Sequence, residues 1–291
     1  MRNMDTSDFR VPEGKKVSLK AYKTDHTRGV KNKEEAAVRL ERNKKDLADY
    51  QERLYAQDRF SLLIVFQARD GAGKDSTIKH VMSGVNPQGV HVTSFKAPTS
   101  LEIDHDYLWR SVLALPQRGM IGIHNRSHYE EVIVTRVHPE ILQRQRLPDA
   151  DFDKKFWARR FRQINDWERH LAENGTVILK FFLHVSKAEQ RQRFLERIDK
   201  AEKNWKFSAA DLGERALWKK FDRAYEDMLS ETSTEVAPWY VVPADHKWYT
   251  RLVVGELIVK TLKRMPIEMP TLSAEERRRL ADARKVLAGG A

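Results

Sequence analysis

One segment restricts the fold more than any other: a continuous apolar run that leads into a glycine-containing turn and then into a helix. The run "LLIVF" at residues 62–66 suits a strand that is buried on both faces. The turn "QARDGAGKDST" follows at residues 67–77. Gly71 and Gly73 let consecutive N–H groups face one anion, and the helix N-terminus and Lys74 add positive charge. The segment therefore predicts a phosphate-binding loop.

The loop departs from the common phosphate-loop pattern at two positions. Ala68 stands where the first glycine belongs, and Asp75 replaces the Ser or Thr after the lysine. Asp70 is informative, because a carboxylate in an anion-binding loop repels phosphate unless it holds a metal or orients an attacking group. A helix N-cap is the structural alternative for Asp70. We count Ala72, Asp75 and Ser76 with the loop glycines as candidate phosphate- or nucleotide-binding residues.

Further segments of strand-like and helix-like sequence follow this unit in alternation. Short apolar runs predict strands at residues 90–95, 120–124, 176–185 and 239–242. Apolar residues at helical spacing predict helices at residues 34–58, 101–115 and 153–173. Such alternation indicates an α/β fold with a central parallel sheet and helices on both faces, and ligands bind at the carboxyl ends of its strands.

Both ends of the chain differ in character from this core. We predict a basic N-terminal arm with little regular structure at residues 1–33, one domain at 34–264 and a charged C-terminal tail at 265–291. Lys+Arg 53 against Asp+Glu 42 gives a net charge of +11, which favours a polyanionic partner or serves solubility. The arm contributes Lys15, Lys16, Lys20 and Lys23. These lysines either form a solvated surface or bind a phosphate polymer.

Composition excludes several classes of protein. The chain has no cysteine, so it has no disulfide framework, thiolate nucleophile or cysteine-ligated metal. No apolar run approaches the roughly 18 residues of a membrane helix, and the N-terminal ten residues lack an apolar signal region. We therefore expect a cytoplasmic protein without a membrane partner.

Six segments in colinear order resemble the polyphosphate kinase 2 family. They are "QARDGAGKDSTIKHVMSGVNPQGVHVTSFKAPT", "DYLWR", "HNRSHYEEV", "ILKFFLHVSKAEQRQRFLERI", "NWKFSAADL" and "ETSTEVAPWYVVPADHKWY". The similarity extends over residues 31–262 or so, far beyond the loop. It implies a thymidylate-kinase-like P-loop fold, a three-layer sandwich with a helical lid at about 186–218. It also implies homo-oligomers and phosphoryl transfer between polyphosphate and nucleotides with Mg²⁺, for which Mn²⁺ can substitute.

The resemblance also implies roles for individual residues. Asn125 and Arg126 would contact phosphates, Arg126 with Asp70 and Lys74 forming the catalytic set. The acid six positions after Asn125, Glu131 in this chain, would complete the magnesium site with Asp70. Arg193 and Lys206 are the candidate lid contacts. We expect a polyphosphate channel from basic residues of the arm and the helix after the loop: Lys15, Lys16, Lys20, Lys23 and Lys79.

The resulting hypothesis is a magnesium-dependent transferase that moves phosphate between polyphosphate and AMP, ADP, GMP or GDP. An ATP-dependent nucleotide kinase would have the same loop and lid, but it would not account for the arm or for Asp70. A nucleic-acid-binding ATPase would account for the charge, yet no helix-turn-helix, RRM or zinc motif is present, so we expect no nucleic-acid partner.

Overall fold

The computed structural model describes residues 4–148 and 151–289, which include a single five-stranded sheet. Its strands are β1 (Ser61–Ala68), β2 (Val90–Ser94), β3 (Ile121–Asn125), β4 (Thr176–His184) and β5 (Trp239–Pro243). All of them run parallel, in the order β2-β3-β1-β4-β5. The predicted parallel α/β sheet is confirmed, and the carboxyl ends of β1 and β3 lie side by side.

Helices connect the strands and cover the sheet. In chain order they are α1 (Lys33–Gln57), α2 (Lys74–Val81), α3 (Ser100–Ile103), α4 (Trp109–Val112), α5 (Glu130–Val137), α6 (Pro139–Gln143), α7 (Lys154–Glu173), α8 (Lys187–Asp199), α9 (Ala210–Ala216), α10 (Trp218–Thr232), α11 (Lys247–Arg264) and α12 (Ala274–Gly289). The predicted lid consists of α8, a 3-10 turn at Ala201–Lys206 and α9.

The core lies in two apolar layers, one on each face of the sheet. Successive residues of a strand point to opposite faces, so Ile64 belongs to one layer and Val65 to the other. The first layer includes residues of α1, α2 and α11, and the second includes residues of α5, α7 and α10. The molecule thus has three layers, as predicted, and its burial on both faces explains the continuous apolar sequence of β1.

The predicted helix at residues 101–115 is wrong as a single element. The structure has two four-residue helices there, α3 and α4. Leu101 is 60% exposed and Leu113 is 67% exposed, so the apolar residues of this segment do not form one buried stripe. The Asp106 carboxylate accepts a hydrogen bond from the Leu108 N–H at 2.9 Å and starts a new turn between the two helices.

The N-terminal segment is not a solvated arm, although it has little regular structure. Val11 N–H donates to the Trp239 carbonyl of β5 at 2.9 Å, and Val17 N–H donates to the Ser230 hydroxyl of α10 at 2.8 Å. Val11, Val17 and Leu19 are buried in the second apolar layer. Their burial anchors this segment, and the boundary at residue 33 stays a prediction.

The C-terminal segment begins in the core and leaves it. Met265 and Ile267 are buried in the first apolar layer. α12, by contrast, has no buried residue within the described range. Among the described residues, none of the helices combines the length and the apolar character needed to cross a membrane.

Candidate active site

The phosphate loop, residues 68–74, joins β1 to α2 as the sequence predicts. Gly71 has φ 79° and Gly73 has φ 105°, a left-handed backbone that glycine adopts without strain. α2 begins at Lys74, so the N–H groups of its first turn have no partner within the helix. The Lys74 ammonium donates to the Ala68 carbonyl at 3.1 Å and is buried. Burial, with the nearby Arg126 guanidinium, lowers the pKa of Lys74 against the opposing effect of Asp70.

Asp70 joins this loop to the end of β3. Arg126 donates to the Asp70 carboxylate at 2.5 Å and lies 3.5 Å from the Glu130 carboxylate. Burial opposes the charge of Arg126, but Glu130 and Asp70 outweigh it and raise the pKa of the guanidinium. The N-cap of α2 is Gly73, without a side-chain cap, so the N-cap alternative for Asp70 is wrong. Asp70 and Arg126 therefore form one unit at the carboxyl ends of neighbouring strands.

A second contact links the same two segments. The Asn125 side-chain amide donates to the Asp75 carboxylate at 2.6 Å, at the start of α2. Its acceptor oxygen is buried and has no hydrogen-bond partner among the described residues. Arg126 itself has φ 64°, a strained conformation for a residue with a side chain. The turn after β3 is thus held in a geometry that directs both side chains to the phosphate loop.

Two side chains of α8 donate hydrogen bonds to backbone carbonyls of the phosphate loop. Arg193 donates to the Gly71 carbonyl at 2.9 Å and the Ala72 carbonyl at 2.7 Å, and also to Ala244 at 2.6 Å. Gln190 donates to the Asp70 carbonyl at 2.8 Å. In this arrangement Arg193 is buried against backbone carbonyls, and its predicted contact with phosphate stays a prediction.

A basic cavity of about 590 Å³ opens above the loop. It is lined by carboxylates of Asp70, Asp75 and Glu196 and by eight cationic side chains: Lys74, Lys96, Arg126, Arg193, Arg197, Lys203, Lys206 and Lys247. The excess of cations suits a polyanion. Lys206 and Ser76 line this cavity, and their predicted contacts with phosphate stay predictions. Sequence reasoning missed Lys96, Lys203 and Lys247, although the last two lie in or beside the segments "NWKFSAADL" and "DHKWY".

An apolar cavity of about 420 Å³ adjoins the basic one. It lies between the segment after β2 and helix α5, and its wall includes Tyr107, Val134 and Ile141. The two cavities share Phe95, Lys96 and Arg126. An apolar chamber therefore opens beside the phosphate-binding residues, with Arg126 at the junction.

The five lysines proposed for a polyphosphate channel do not line the basic cavity. Lys15, Lys16, Lys20 and Lys23 are exposed on the N-terminal segment, which crosses α10, and Lys79 is exposed on α2. The cations that surround the cavity come instead from the phosphate loop, the segments after β2 and β3, the segment from α8 to the 3-10 turn at Ala201–Lys206, and the start of α11. A role for these five lysines in binding a polymer stays a prediction.

Glu131 lies apart from Asp70, in the wall of the apolar cavity. Its carboxylate is buried 3.2 Å from the Arg160 guanidinium and accepts from Gln145 at 2.7 Å. Burial raises the pKa of Glu131, against the opposing effect of Arg160. The acid that the structure brings to Asp70 and Arg126 is its neighbour Glu130. The predicted pairing of Asp70 with Glu131 at a magnesium ion thus has no geometric support.

The described acidic side chains offer one carboxylate for a magnesium ion and not a complete set of ligands. Within residues 4–148 and 151–289, no three His, Asp or Glu side chains converge as a metal site. Mg²⁺ is commonly held by one or two carboxylates together with substrate phosphates, and it keeps several waters. Asp70 is 29% exposed at the edge of the basic cavity, so it can supply such a carboxylate.

Comparisons with known proteins agree with this geometry. The family model "Polyphosphate kinase 2 (PPK2)" matches residues 30–270. The ADP-polyphosphate phosphotransferase of Rhodopseudomonas palustris is 50% identical over 97% of this chain and 98% of its own length. The AMP/ADP-polyphosphate phosphotransferase of Meiothermus ruber is 44% identical over 90% of this chain and 94% of its own length.

A solved structure gives the same result for the fold. The crystal structure of Polyphosphate Kinase 2 from Arthrobacter aurescens TC1 matches with a TM-score of 0.87 at 37% identity. The match covers 97% of this chain and 99% of that chain. Together with the phosphate loop, the strand-end arginine and the basic cavity, these matches show that the chain belongs to the polyphosphate kinase 2 family.

Proposed function

We propose that this protein transfers phosphoryl groups between inorganic polyphosphate and nucleoside mono- and diphosphates. The observation that carries the proposal is the junction of the two cavities at Phe95, Lys96 and Arg126. A nucleoside fits the apolar cavity, and a phosphate chain fits the basic cavity. The acceptor phosphate would then meet the donor phosphate at Arg126.

The residues around this junction have distinct tasks in the proposed reaction. N–H groups of the phosphate loop and the Lys74 ammonium bind the donor phosphate, and Arg126 stabilises charge on the group in transfer. Asn125 and Asp75 fix the turn after β3, and Arg193 and Gln190 fix the loop. Asp70 orients Arg126 and is the residue that would hold magnesium. A bound magnesium ion would neutralise charge on the phosphate oxygens.

We infer that both AMP and ADP are acceptors. Support comes from the two relatives described above, one an ADP-polyphosphate phosphotransferase and the other an AMP/ADP-polyphosphate phosphotransferase. The size of the apolar cavity, about 420 Å³, leaves room for a nucleoside to shift when the acceptor is one phosphate longer. A site with that freedom holds the base loosely, so we expect weak discrimination between adenine and guanine.

The test uses purified protein with Mg²⁺ and long-chain polyphosphate, and each of AMP, ADP, GMP and GDP in turn. We expect nucleoside triphosphate to form from each, with ADP rising before ATP when the reaction starts from AMP. A parallel reaction offers ATP as the only donor to AMP. Efficient transfer from ATP together with no transfer from polyphosphate would assign the protein to the ATP-dependent nucleotide kinases. AMP that stays inert while ADP is consumed would restrict the acceptors to diphosphates.

We further propose that the enzyme is cytoplasmic, forms homo-oligomers and uses Mg²⁺, with Mn²⁺ as a substitute. The absence of cysteine from the sequence fits a reducing compartment. The oligomer and the metal are supported by membership of the family. Light scattering coupled to size-exclusion chromatography tests the oligomeric state. Activity measured after chelation and again after metal readdition tests the metal requirement.

A further inference from the structure

A second basic cavity lies far from the phosphate loop. This remote cavity has a volume of about 370 Å³ and is bounded by α1, the last turns of α11 and the N-terminal segment. Lys247, at the first residue of α11, lines the basic cavity, whereas Lys263, near the last residue, lines the remote one. The step of 16 positions from Lys247 to Lys263 spans about 24 Å along the helix. The two cavities are therefore separate sites on one rigid element.

The acidic groups of the remote cavity are already neutralised. Asp46 accepts from the Lys263 ammonium at 2.6 Å. Glu256 is paired with Arg39, which is buried, and accepts from the Met4 N–H at 3.1 Å. These two ion pairs form part of the wall of the cavity, and the other charged residues described in its lining are cationic.

Those remaining groups all favour an anion. Arg42 and Arg264 form no ion pair with any residue in the described part of the chain, and Lys260 donates only to the Thr6 hydroxyl at 2.8 Å. The Asn43 amide nitrogen is buried and has no acceptor among the described residues. Among the described residues, two unpaired arginines, Lys260 and one unused amide donor thus line a single concave surface, and Asp5 lies within electrostatic range of Lys260.

We propose that the remote cavity is a second anion site that binds a segment of polyphosphate. The choice of a phosphate chain over a nucleotide rests on the described part of the lining, which includes no aromatic side chain on which a base could stack. The identity of the polymer rests on the proposed function. A chain long enough to occupy both cavities would be bound at two points, which raises its effective concentration at the phosphate loop. Short chains would gain nothing from the second site.

The direct test is calorimetric titration of tripolyphosphate into the Lys74→Ala protein, in which the phosphate loop is weakened. The variant Arg42→Gln/Arg264→Gln is compared with Arg278→Gln/Arg284→Gln, which removes the same charge from exposed positions of α12. All four arginines are exposed, so we expect both variants to fold. Seven cations still line the basic cavity in this protein, so the titration is fitted to two classes of site. The first pair should weaken one class at least tenfold, and the second pair should change neither class. Equal affinity in the two variants would overturn the proposal, and so would ATP binding there as tightly as tripolyphosphate.

A kinetic arm uses the enzyme with intact Lys74. Arg42→Gln/Arg264→Gln should raise the KM for long-chain polyphosphate about tenfold and leave the KM for short chains unchanged. The control pair should change neither constant. Equal KM changes for both chain lengths would refute the two-point contact. The calorimetric result needs no turnover, so loss of polyphosphate-dependent activity would refute the proposed function and leave the anion site standing.

Discussion

Asp70→Asn separates a catalytic role for this carboxylate from a structural one. Asp70 accepts from Arg126 at 2.5 Å, with side chains that are 29% and 39% exposed. Ion pairs in such exposed positions contribute at most about 1 kcal/mol to folding. The substitution keeps the shape of the side chain and removes its charge. We expect the melting temperature to fall by no more than roughly 3 °C, since about 1 kcal/mol shifts a domain of this size by that amount.

The expected effect on the rate is much larger. If Asp70 orients Arg126 and holds magnesium, its loss removes preorganised stabilisation of about 3 kcal/mol, or about a hundredfold in kcat. The assay measures ATP formed from ADP and polyphosphate over a range of Mg²⁺ concentrations, beside a thermal melt of the same sample. Asp8→Asn is the control, because Asp8 forms an exposed ion pair with Arg28 at 3.3 Å. A near-normal kcat for Asp70→Asn, or a loss of rate that follows a loss of fold, would refute this reasoning.

Three further predictions follow from the geometry. Arg126→Gly and Arg126→Ala should each reduce kcat about a hundredfold. Residue 126 has φ 64°, so thermal melts should show the Arg126→Ala protein about 1 kcal/mol less stable than the Arg126→Gly protein. Equal stability of the two variants would show that the backbone is not strained at this position. Replacing the cavity lysines Lys203, Lys206 and Lys247 by Gln should raise the KM for polyphosphate more than replacing Lys15 and Lys16 by Gln. The reverse order would indicate that the N-terminal segment forms the polyphosphate channel. Burial lowers the pKa of His124 and of His184 to about 4, so below pH 6.5 the unfolded chain binds protons that the folded chain does not. Denaturant titrations should therefore show the free energy of unfolding falling by about 1.6 kcal/mol per histidine from pH 6.5 to 5, and His124→Gln should reduce that slope.

The sequence predicted the phosphate loop well because its signal is local. The buried strand, the two glycines and the lysine occupy 13 consecutive positions, 62–74, and each has a conformational or chemical requirement that the residue type meets. The apolar cavity carries no such signal. Its residues come from the segments after β2 and β3, which become neighbours only when the parallel sheet forms.

The choice between Glu130 and Glu131 shows the same limit at finer scale. α5 begins at Glu130, and successive helix residues point about 100° apart. Glu130 therefore faces Arg126, whereas Glu131 is buried beside Arg160. The sequence alone does not show which of two adjacent glutamates faces the active site, because that depends on the orientation of the helix in the fold. Arg193 is similar, because its charge was evident and its burial under the loop was not.

The contact between α8 and the phosphate loop has a consequence for engineering. Arg193 and Gln190 bind carbonyls of Gly71, Ala72 and Asp70, so α8 cannot swing outward without pulling on the loop. The first residue beyond α8 with extended backbone is Lys200, at φ -103° and ψ 112°. A chimera that exchanges the polyphosphate-binding lysines beyond α8 between relatives should therefore graft residues from Lys200 onward and keep α8 with its own loop. A graft that starts at Ser186 would replace α8 but not the phosphate loop whose carbonyls it binds.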